Sequence, residues 1–308
     1  MKKKYKFSII TPVFNSGKCL QKLVDSLEKQ TYEKYELLLI DDGSVDDSFA
    51  QMKKLEENND YIKIFHKKNS GPGDSRKLGF EHATGDLIFF VDSDDWITSD
   101  KTLEKINTIF NNHEIDILFF DREDIVDSKK NIIRGFDYLE EGFYEINAIT
   151  GIVRPGLGCK IFKKNLLKED MFIGSKIFED LYTTYKYLDK CKNFYYKKES
   201  YYTIYHEKNS ISLSSNINAD MICDAIKILN MLFDTISNKN FTDGINERLI
   251  DIFWLYIKSK NKNKVNNLLK KEIKKAANML KKDKKKYIGK KKIKKIIIDL
   301  YLRMNKEV

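Results

Sequence analysis

The stretch Leu87-Ile88-Phe89-Phe90-Val91-Asp92-Ser93-Asp94-Asp95-Trp96 decides the fold of this chain. Its first five residues form an uninterrupted apolar run, which is typical of a strand covered on both faces of a parallel sheet. Three carboxylates follow within four residues, at the carboxyl end of that strand, where open α/β sheets bind their ligands. The stretch therefore predicts a buried strand that ends in an acidic turn, at the edge of the sheet where ligands bind.

Three more strand-like segments precede this stretch, and helical spacing of apolar residues lies between them. The strands are predicted at residues 6–14, where Pro12 should end the strand, and at residues 36–40 and 62–65. The helices are predicted near residues 20–27, 46–57 and 74–83. Strands that alternate with helices at this rhythm indicate βαβ units, so we expect an α/β fold with a mostly parallel sheet flanked by helices.

The second half of the chain changes in character. A strand at 115–120 and a helix at 179–188 are predicted within a mixed region, and the pattern becomes helical from about residue 219. Residues 258–308 carry 20 Lys or Arg against 4 Asp or Glu, whereas residues 1–257 carry 36 against 42. A mildly acidic body is thus followed by a strongly basic helical region.

Composition excludes several classes of protein. With 42% hydrophobic and 12% aromatic residues, the chain of 308 residues can bury a sizeable core. Its four cysteines, at 19, 159, 191 and 223, form no CxxC pair, which favours a reduced intracellular protein over a disulfide or zinc scaffold. No run of about 18 apolar residues occurs and no signal-peptide core develops after the first lysines, so we expect a cytoplasmic protein without a membrane span.

The acidic turn Asp92-Ser93-Asp94-Asp95 has two interpretations. Carboxylates this close repel one another unless a cation neutralises them, and hard oxygen ligands suit Mg²⁺ or Mn²⁺. The alternative is a solvated turn that caps the next helix, since Ser and Asp are good N-caps. The turn by itself leaves both interpretations open.

Two further polar clusters follow predicted strands. A carboxylate of Asp41-Asp42-Gly43-Ser44 can accept a hydrogen bond from a nucleobase or a ribose, or the segment is an ordinary Asx turn. The glycine-rich segment Asn69–Arg76 opens a helix, whose N-terminus together with Arg76 can bind a diphosphate. The alternative is a simple turn, because the segment matches no phosphate-loop pattern.

Candidates for proton transfer come from the second half of the chain. In Phe178-Glu179-Asp180-Leu181, two acids stand at the start of a helix, where they stabilise the helix dipole or supply a general base. His206 is kept as a candidate site residue. None of the four histidines, at 66, 82, 113 and 206, shows ligand spacing.

Taken in order, these pieces resemble family 2 glycosyltransferases with the GT-A fold, a Rossmann-like fold of nucleotide-diphospho-sugar transferases. The matching segments are Ser8–Asn15, Gln30–Tyr32, Ile40–Ser44, Ser75–Gly79, Ala83–Asp86, Phe90–Trp96 and Glu179-Asp180, followed more loosely by Gly158–Phe162 and Ser210–Ser212. Their order and spacing over residues 6–96 make the combination specific.

The resemblance implies a role for each of these residues. Pro12 and Asp42 would line the pocket for the base and ribose, Arg76 would lie near the diphosphate, and Ser93 would contact the donor. Asp92 and Asp94 would form the DxD motif, with Asp94 the more direct ligand of Mn²⁺ or Mg²⁺ and with Asp95 beside them. Asp180 would be the catalytic base of an inverting transfer, with Glu179 as its neighbour. Where the family often has Ala-Arg-Asn, this chain has Ser75-Arg76-Lys77, which leaves the contacts of position 77 open.

The resemblance also implies an organisation and a substrate class. Residues 1–215 would be the catalytic domain, with a nucleotide-binding half at 1–96 and an acceptor half at 97–215, and residues 216–308 a helical lysine-rich region. A UDP-hexose would be the donor, and a glycan or lipid-linked glycan the acceptor, in bacterial surface glycan synthesis.

Two rival functions and two roles for the basic region remain. A sugar-nucleotide nucleotidyltransferase would place a basic glycine-rich loop after the first strand, where this chain has Thr11–Asn15. Binding of nucleic acid through the basic region is not expected, because few aromatic residues are available there for base stacking. Residues 258–308 instead suit an anionic membrane surface at the inner face of the cell membrane, or a bundle packed on the catalytic domain or on a second subunit in a homodimer.

Overall fold

The computed structural model describes residues 3–149, 153–154, 156–175, 178–206, 219–258, 272–276, 278–279, 295 and 298. The chain divides into two compact units, the first comprising Met1–Ile146 and Gly156–Ser210, the second Asn147–Pro155 and Ile211–Val308. A functional boundary at residue 215 stays a prediction. The Ser210–Ser212 segment, and almost all of residues 258–308 with their predicted membrane-surface role, lie outside the described residues.

The first unit begins with alternating strands and helices. In chain order they are β1 (Phe7–Val13), α1 (Leu20–Glu28), β2 (Tyr35–Asp41), α2 (Ser48–Asn58), β3 (Ile62–His66), α3 (Pro72–His82) and β4 (Leu87–Phe90). The strands lie in the order β3-β2-β1-β4 and every neighbouring pair is parallel. The predicted βαβ units are confirmed. β1 runs one residue past its expected end at Pro12, because a proline near a strand end removes only one ladder hydrogen bond.

Helices cover both faces of these four strands. Ile9 of β1 belongs to one buried cluster with the apolar face of α1, including Leu23 and Leu27. The next residue, Ile10, points to the other face, where a Cβ on Gly79 of α3 would approach Ile10 Cγ2 to 2.4 Å. Gly79 therefore lets α3 approach the sheet closely, and the strands are apolar throughout because both of their faces are covered.

The rest of the first unit continues the same sheet with mixed strand directions. Its elements are β5 (Trp96–Ile97), α4 (Thr102–Asn112), β6 (Ile117–Val126), β7 (Lys129–Ile133), β8 (Gly142–Glu145), β9 (Lys160–Lys163), α5 (Glu179–Leu188) and β10 (Asn193–His206). β9 is antiparallel to both of its neighbours, β4 and β6, whereas β6 and β10 are parallel. The α/β class is as predicted, and the four strands β1 to β4 form its continuous parallel part.

The described residues of the second unit are mainly helical. It contains α6 (Ala219–Thr235) and α7 (Lys239–Lys258), in the region where helices were predicted. Asn230 of α6 donates hydrogen bonds to the backbone oxygen of Glu272 at 3.0 Å and to its carboxylate at 2.7 Å, which ties residue 272 to this unit. Among the described residues, no helix combines the length and apolarity that crossing a bilayer requires.

Candidate active site

The loops that follow β1, β2 and β4 are bonded to one another at one edge of the sheet. The backbone N–H of Asp42 donates to the oxygen of Val13 at 2.8 Å, and the N–H of Val91 donates to the oxygen of Ile10 at 3.1 Å. The hydroxyls of Ser16 and Ser93 share a hydrogen bond of 2.7 Å. The polar clusters predicted from separate parts of the sequence are therefore brought together at the carboxyl ends of the parallel strands.

Asp42 holds the glycine-rich segment against the end of β2. Its buried carboxylate accepts hydrogen bonds from the backbone N–H groups of Ser70 and Gly71, both at 2.9 Å, and from the ammonium of Lys67. Gly71 has a φ of 99°, a conformation that favours glycine, so the sequence of this turn is set by its backbone. The nucleoside role of Asp42 and Pro12 stays a prediction, whereas the shaping of the loop by Asp42 is direct.

Asp95 anchors the acidic turn from within. The buried hydroxyl of Tyr202 donates to Asp95 Oδ2 at 2.5 Å and accepts the backbone N–H of Asp92 at 3.1 Å. Burial, and then the charges of Asp92 and Asp94, raise the pKa of Asp95 well above its ordinary value. Asp95 thus fixes the turn rather than facing solvent, and it differs in this from the two aspartates before it.

Asp92 and Asp94 present their carboxylates outward. Both residues are exposed, and partial desolvation followed by the charge of Asp92 raises the pKa of Asp94. Hard oxygens on a short turn fit Mg²⁺ or Mn²⁺, and Mg²⁺ commonly takes one or two carboxylates and completes its shell with water and phosphate oxygens. Within the described part of the chain, no cluster of three or more His, Cys, Asp or Glu side chains forms a ready-made metal site. The pair fits a cation that shares its coordination with a phosphate.

Arg76 connects the acidic turn to α5. Its NH2 group donates to Asp92 Oδ1 and its NH1 group to Glu179 Oε1, each at 2.8 Å. Burial alone would lower the pKa of Arg76, but the Asp92 and Glu179 carboxylates more than offset this and raise it. Its buried Nε finds no hydrogen-bond partner among the described residues. Glu179 is accordingly a partner of Arg76 in this structure.

Asp180 lies in the first turn of α5, next to this bridge. Burial and the charge of Glu179 raise the pKa of Asp180 to about 6, against the opposing charges of Arg76 and Lys160. Its Oδ1 accepts the backbone N–H of Leu181 at 2.7 Å. A carboxylate with this pKa is mostly ionised at neutral pH and basic enough to take up a proton.

Three residues of the site were missed in the sequence. Lys160 is buried in β9, where its ammonium donates to the oxygen of Gly156 at 2.5 Å and burial lowers its pKa to about 8. A charged residue inside the apolar run Cys159–Phe162 was the available signal. No local feature of the sequence marks Tyr202 as a site residue, because nothing distinguishes it from its neighbour Tyr201. Arg122 forms a two-point ion pair with Asp124, at 2.8 and 3.2 Å.

The Arg122–Asp124 pair in turn orients His206. Its Nε2 lies 3.4 Å from Asp124 Oδ2, and its ring is close enough to Asp94 to influence the pKa of that carboxyl. His206 was kept as a candidate from the sequence, and the structure places it beside the acidic turn. What it does there stays a prediction.

The chain is similar to known proteins in both sequence and structure. The model for glycosyl transferase family 2 matches residues 8–169. A Haemophilus influenzae protein described as an uncharacterized glycosyltransferase is 40% identical over 107 residues, which cover 34% of this chain and 43% of that protein. The poly(ribitol-phosphate) beta-N-acetylglucosaminyltransferase TarS of Staphylococcus aureus is 34% identical over 116 residues, 37% of this chain and 20% of TarS. The chain thus spans less than half the length of these curated relatives.

Solved structures extend the likeness over most of the chain. The crystal structure of S. aureus TarS 1–349 in complex with UDP-GlcNAc has a TM-score of 0.65 at 20% identity and covers 90% of this chain and 81% of that one. A mannosyltransferase from Pyrobaculum calidifontis, in complex with GDP-Man and Mn²⁺, has a TM-score of 0.51 at 12% identity and covers 98% and 81%. At these identities the likeness concerns the fold.

Proposed function

The chain belongs to glycosyl transferase family 2, and on that premise we propose that it moves a hexose from a UDP-sugar to an acceptor hydroxyl with inversion at the anomeric carbon. The observation that carries the proposal is the Arg76 bridge. One buried guanidinium contacts Asp92 of the acidic turn and Glu179 beside Asp180, each at 2.8 Å. The group that would grip the donor diphosphate and the group that would activate the acceptor are therefore held in one network.

The donor side is formed by the loops at the sheet edge. Pro12 and Asp42 line the nucleoside pocket, Ser93 and Arg76 contact the donor, and Asp92 and Asp94 hold Mn²⁺ or Mg²⁺. The cation, when bound, stabilises the negative charge that develops on the departing nucleoside diphosphate. The exposed carboxylates of Asp92 and Asp94 support this assignment: Asp92 is held by Arg76 through one oxygen, and both side chains face the side from which a phosphate-bound cation would approach.

Asp180 acts on the acceptor. Its carboxylate takes the proton from the acceptor hydroxyl while the acceptor oxygen bonds to the anomeric carbon, opposite the bond to the diphosphate, which breaks. The proton ends on Asp180 and the electron pair of the broken bond leaves with the nucleoside diphosphate. A pKa of about 6 suits this role, because the base is ionised at neutral pH before transfer.

The acceptor we propose is a glycan or lipid-linked glycan of a bacterial surface polymer. The name of TarS, which glycosylates a ribitol phosphate polymer, supports this class of acceptor. The net charge of +16 on residues 258–308 supports attachment to the anionic inner face of the cell membrane, and packing within a homodimer is the alternative.

The donor assignment is tested by calorimetry with UDP, in the presence and absence of Mn²⁺. We expect Mn²⁺ to tighten UDP binding to the 308-residue chain, and Asp94→Ala to remove that gain while metal-free binding stays. A panel of UDP-hexoses, followed by release of UDP, then identifies the sugar. Equal UDP affinity with and without Mn²⁺ in the wild-type protein would overturn the metal assignment.

A further inference from the structure

A cavity of about 330 Å³ lies between α1 and the segment 96–100, next to the acidic turn. Its helical wall is one face of α1 and its C-terminal cap, which presents Lys22, Asp25, Ser26 and Lys29. These positions are three or four residues apart, so they project to the same side of the helix. The volume falls in the range of small-ligand sites, roughly 300 to 1,000 Å³.

The opposite wall carries the ring of Trp96, which packs against Tyr205 outside the lining. Trp96 lines the cavity, and its ring centroid lies 6.0 Å from that of Tyr205, which is 39% exposed. The ammonium of Lys22 lies 4.1 Å from the Tyr205 ring centroid and 5.3 Å from that of Trp96. Cation–π contacts to both rings hold the pair in place, so the aromatic wall is organised before any ligand binds.

The charges around the cavity balance. The lining contains two lysines, Lys22 and Lys29, and two aspartates, Asp25 and Asp100. An anionic ligand would meet carboxylates and a cationic one would meet ammonium groups, whereas a hydroxyl group both accepts from a lysine and donates to an aspartate. Aromatic faces beside such mixed polar groups suit a pyranose ring, whose C–H faces are apolar while its edge is hydroxylated. The lining thus fits an uncharged carbohydrate.

Trp96 and Tyr205 connect the cavity to the acidic turn at Asp92–Asp95. Trp96 follows Asp95 directly, and the carboxylate of Asp95 accepts the backbone N–H of Tyr205 as well as the Tyr202 hydroxyl. A sugar in the cavity would therefore lie beside the turn that carries Asp92 and Asp94. Resting on the proposed function, we propose that this cavity is an acceptor subsite, which binds a neutral sugar unit of the acceptor chain other than the one that receives the hexose.

The test is saturation-transfer NMR on the 308-residue chain with two neutral probes, chitotetraose and maltotetraose, and with a heparin tetrasaccharide as the anionic contrast. At least one neutral probe should bind saturably, and Lys22→Met and Asp25→Asn should each weaken that binding about tenfold. The matched control is Lys53→Met, which removes a cation–π contact to Phe49, at 4.9 Å, outside the cavity and should bind the probe like the wild type.

Several outcomes overturn the subsite. These are no saturable binding of either neutral probe, equal binding by the Lys22→Met and Lys53→Met variants, or tighter binding of the heparin tetrasaccharide. UDP binding with Mn²⁺, measured on the same samples, separates this inference from the proposed function. Loss of saccharide binding with intact UDP binding refutes only the subsite, whereas saccharide binding without UDP binding refutes only the donor assignment.

Discussion

Asp180 combines burial with proximity to two cations, and its pKa of about 6 reflects that balance. Replacement by Asn keeps the volume of the side chain and removes its basicity. We expect Asp180→Asn to lower kcat for transfer by about 10²- to 10⁴-fold, the usual contribution of a general base, with UDP affinity nearly unchanged. Single-turnover transfer and UDP calorimetry measure the two effects.

Stability provides the control for this variant. The folded pKa of Asp180 lies above the value near 4 of an unfolded aspartate, so its ionisation costs stability as the pH rises through about 6. The Asn variant should therefore melt at a higher temperature than the wild type at pH 7.5, and this advantage should shrink at pH 4. An inactive variant that melts lower at pH 7.5 would indicate a folding defect instead.

The pH dependence of activity tests the effect of Lys160 on the pKa of Asp180. The charged groups that act on Asp180 are Glu179 on α5, Arg76 on α3 and Lys160 on β9, and only Glu179 raises its pKa. Activity should fall as the pH drops through about 6, because Asp180 becomes protonated. Lys160→Met removes one opposing cation, so the acid limb of kcat/KM should move to higher pH.

Lys160→Arg serves as the matched variant. It keeps the positive charge beside Asp180 and should leave the acid limb near its wild-type position. If Lys160→Met loses activity without moving the limb, then Lys160 supports the fold of β9 and does not set the pKa of Asp180.

Among the strands, β10 supplies Tyr202, which anchors the acidic turn. A Cβ on Gly158 would meet the Tyr202 ring at 2.4 to 2.8 Å, so the segment before β9 requires glycine beside β10. We expect Gly158→Ala to displace Tyr202 and with it the backbone of Asp92. The result should be weaker Mn²⁺-dependent UDP binding and a lower Tm.

Gly156→Ala is the control for that substitution. A Cβ at Gly156 meets no atom of the described residues within 4 Å, and its φ of −41° suits alanine. It should bind UDP like the wild type. Equal losses in the two variants would mean that the whole segment, and not the Tyr202 contact, is sensitive.

The same scale explains what could be predicted from the sequence. Helix α5 begins and ends where helical spacing and the acids Glu179 and Asp180 placed it, because such signals are local. Tyr202 could not be assigned to the site, since its partner Asp95 lies 107 residues away in the sequence. Lys160 stands out as a charge within an apolar run, but its proximity to Asp180 depends on the order of the strands in the sheet. The role of Asp42 in shaping the glycine-rich segment likewise depends on residues 70 and 71, whose backbone N–H groups it binds. The local pattern of an Asx turn gives no indication of this contact.

Over the whole molecule, charge is divided between an acidic body and a basic C-terminal region. Residues 1–257 carry a net charge of −6 and residues 258–308 a net charge of +16. An enzyme with a lipid-linked acceptor would gain from this division, because the basic region would hold it at an anionic surface while the acidic body stays in solution.

Removing residues 258–308 would be a poor test of that idea. Glu272 accepts hydrogen bonds from Asn230 of α6, and Ile273 and Ala276 are buried, so a truncation would also damage the second unit. Substitutions that lower charge and keep the apolar residues are better suited. A dense basic run can be changed in this way without touching an apolar residue: Lys281, Lys282, Lys284, Lys285 and Lys286.

We expect the 308-residue chain to bind phosphatidylserine-containing vesicles, more weakly as salt rises, and not to bind neutral phosphatidylcholine vesicles. Changing the five lysines to Gln should weaken vesicle binding by more than tenfold, since each lysine near an anionic surface contributes about 1 kcal/mol. Five Lys→Gln changes within residues 1–257 serve as the control and should have little effect. If the variant with the five Lys→Gln changes stays folded and still sediments with vesicles like the wild type, the charge of the basic region does not drive membrane binding. The basic region then serves packing within the protein or its dimer.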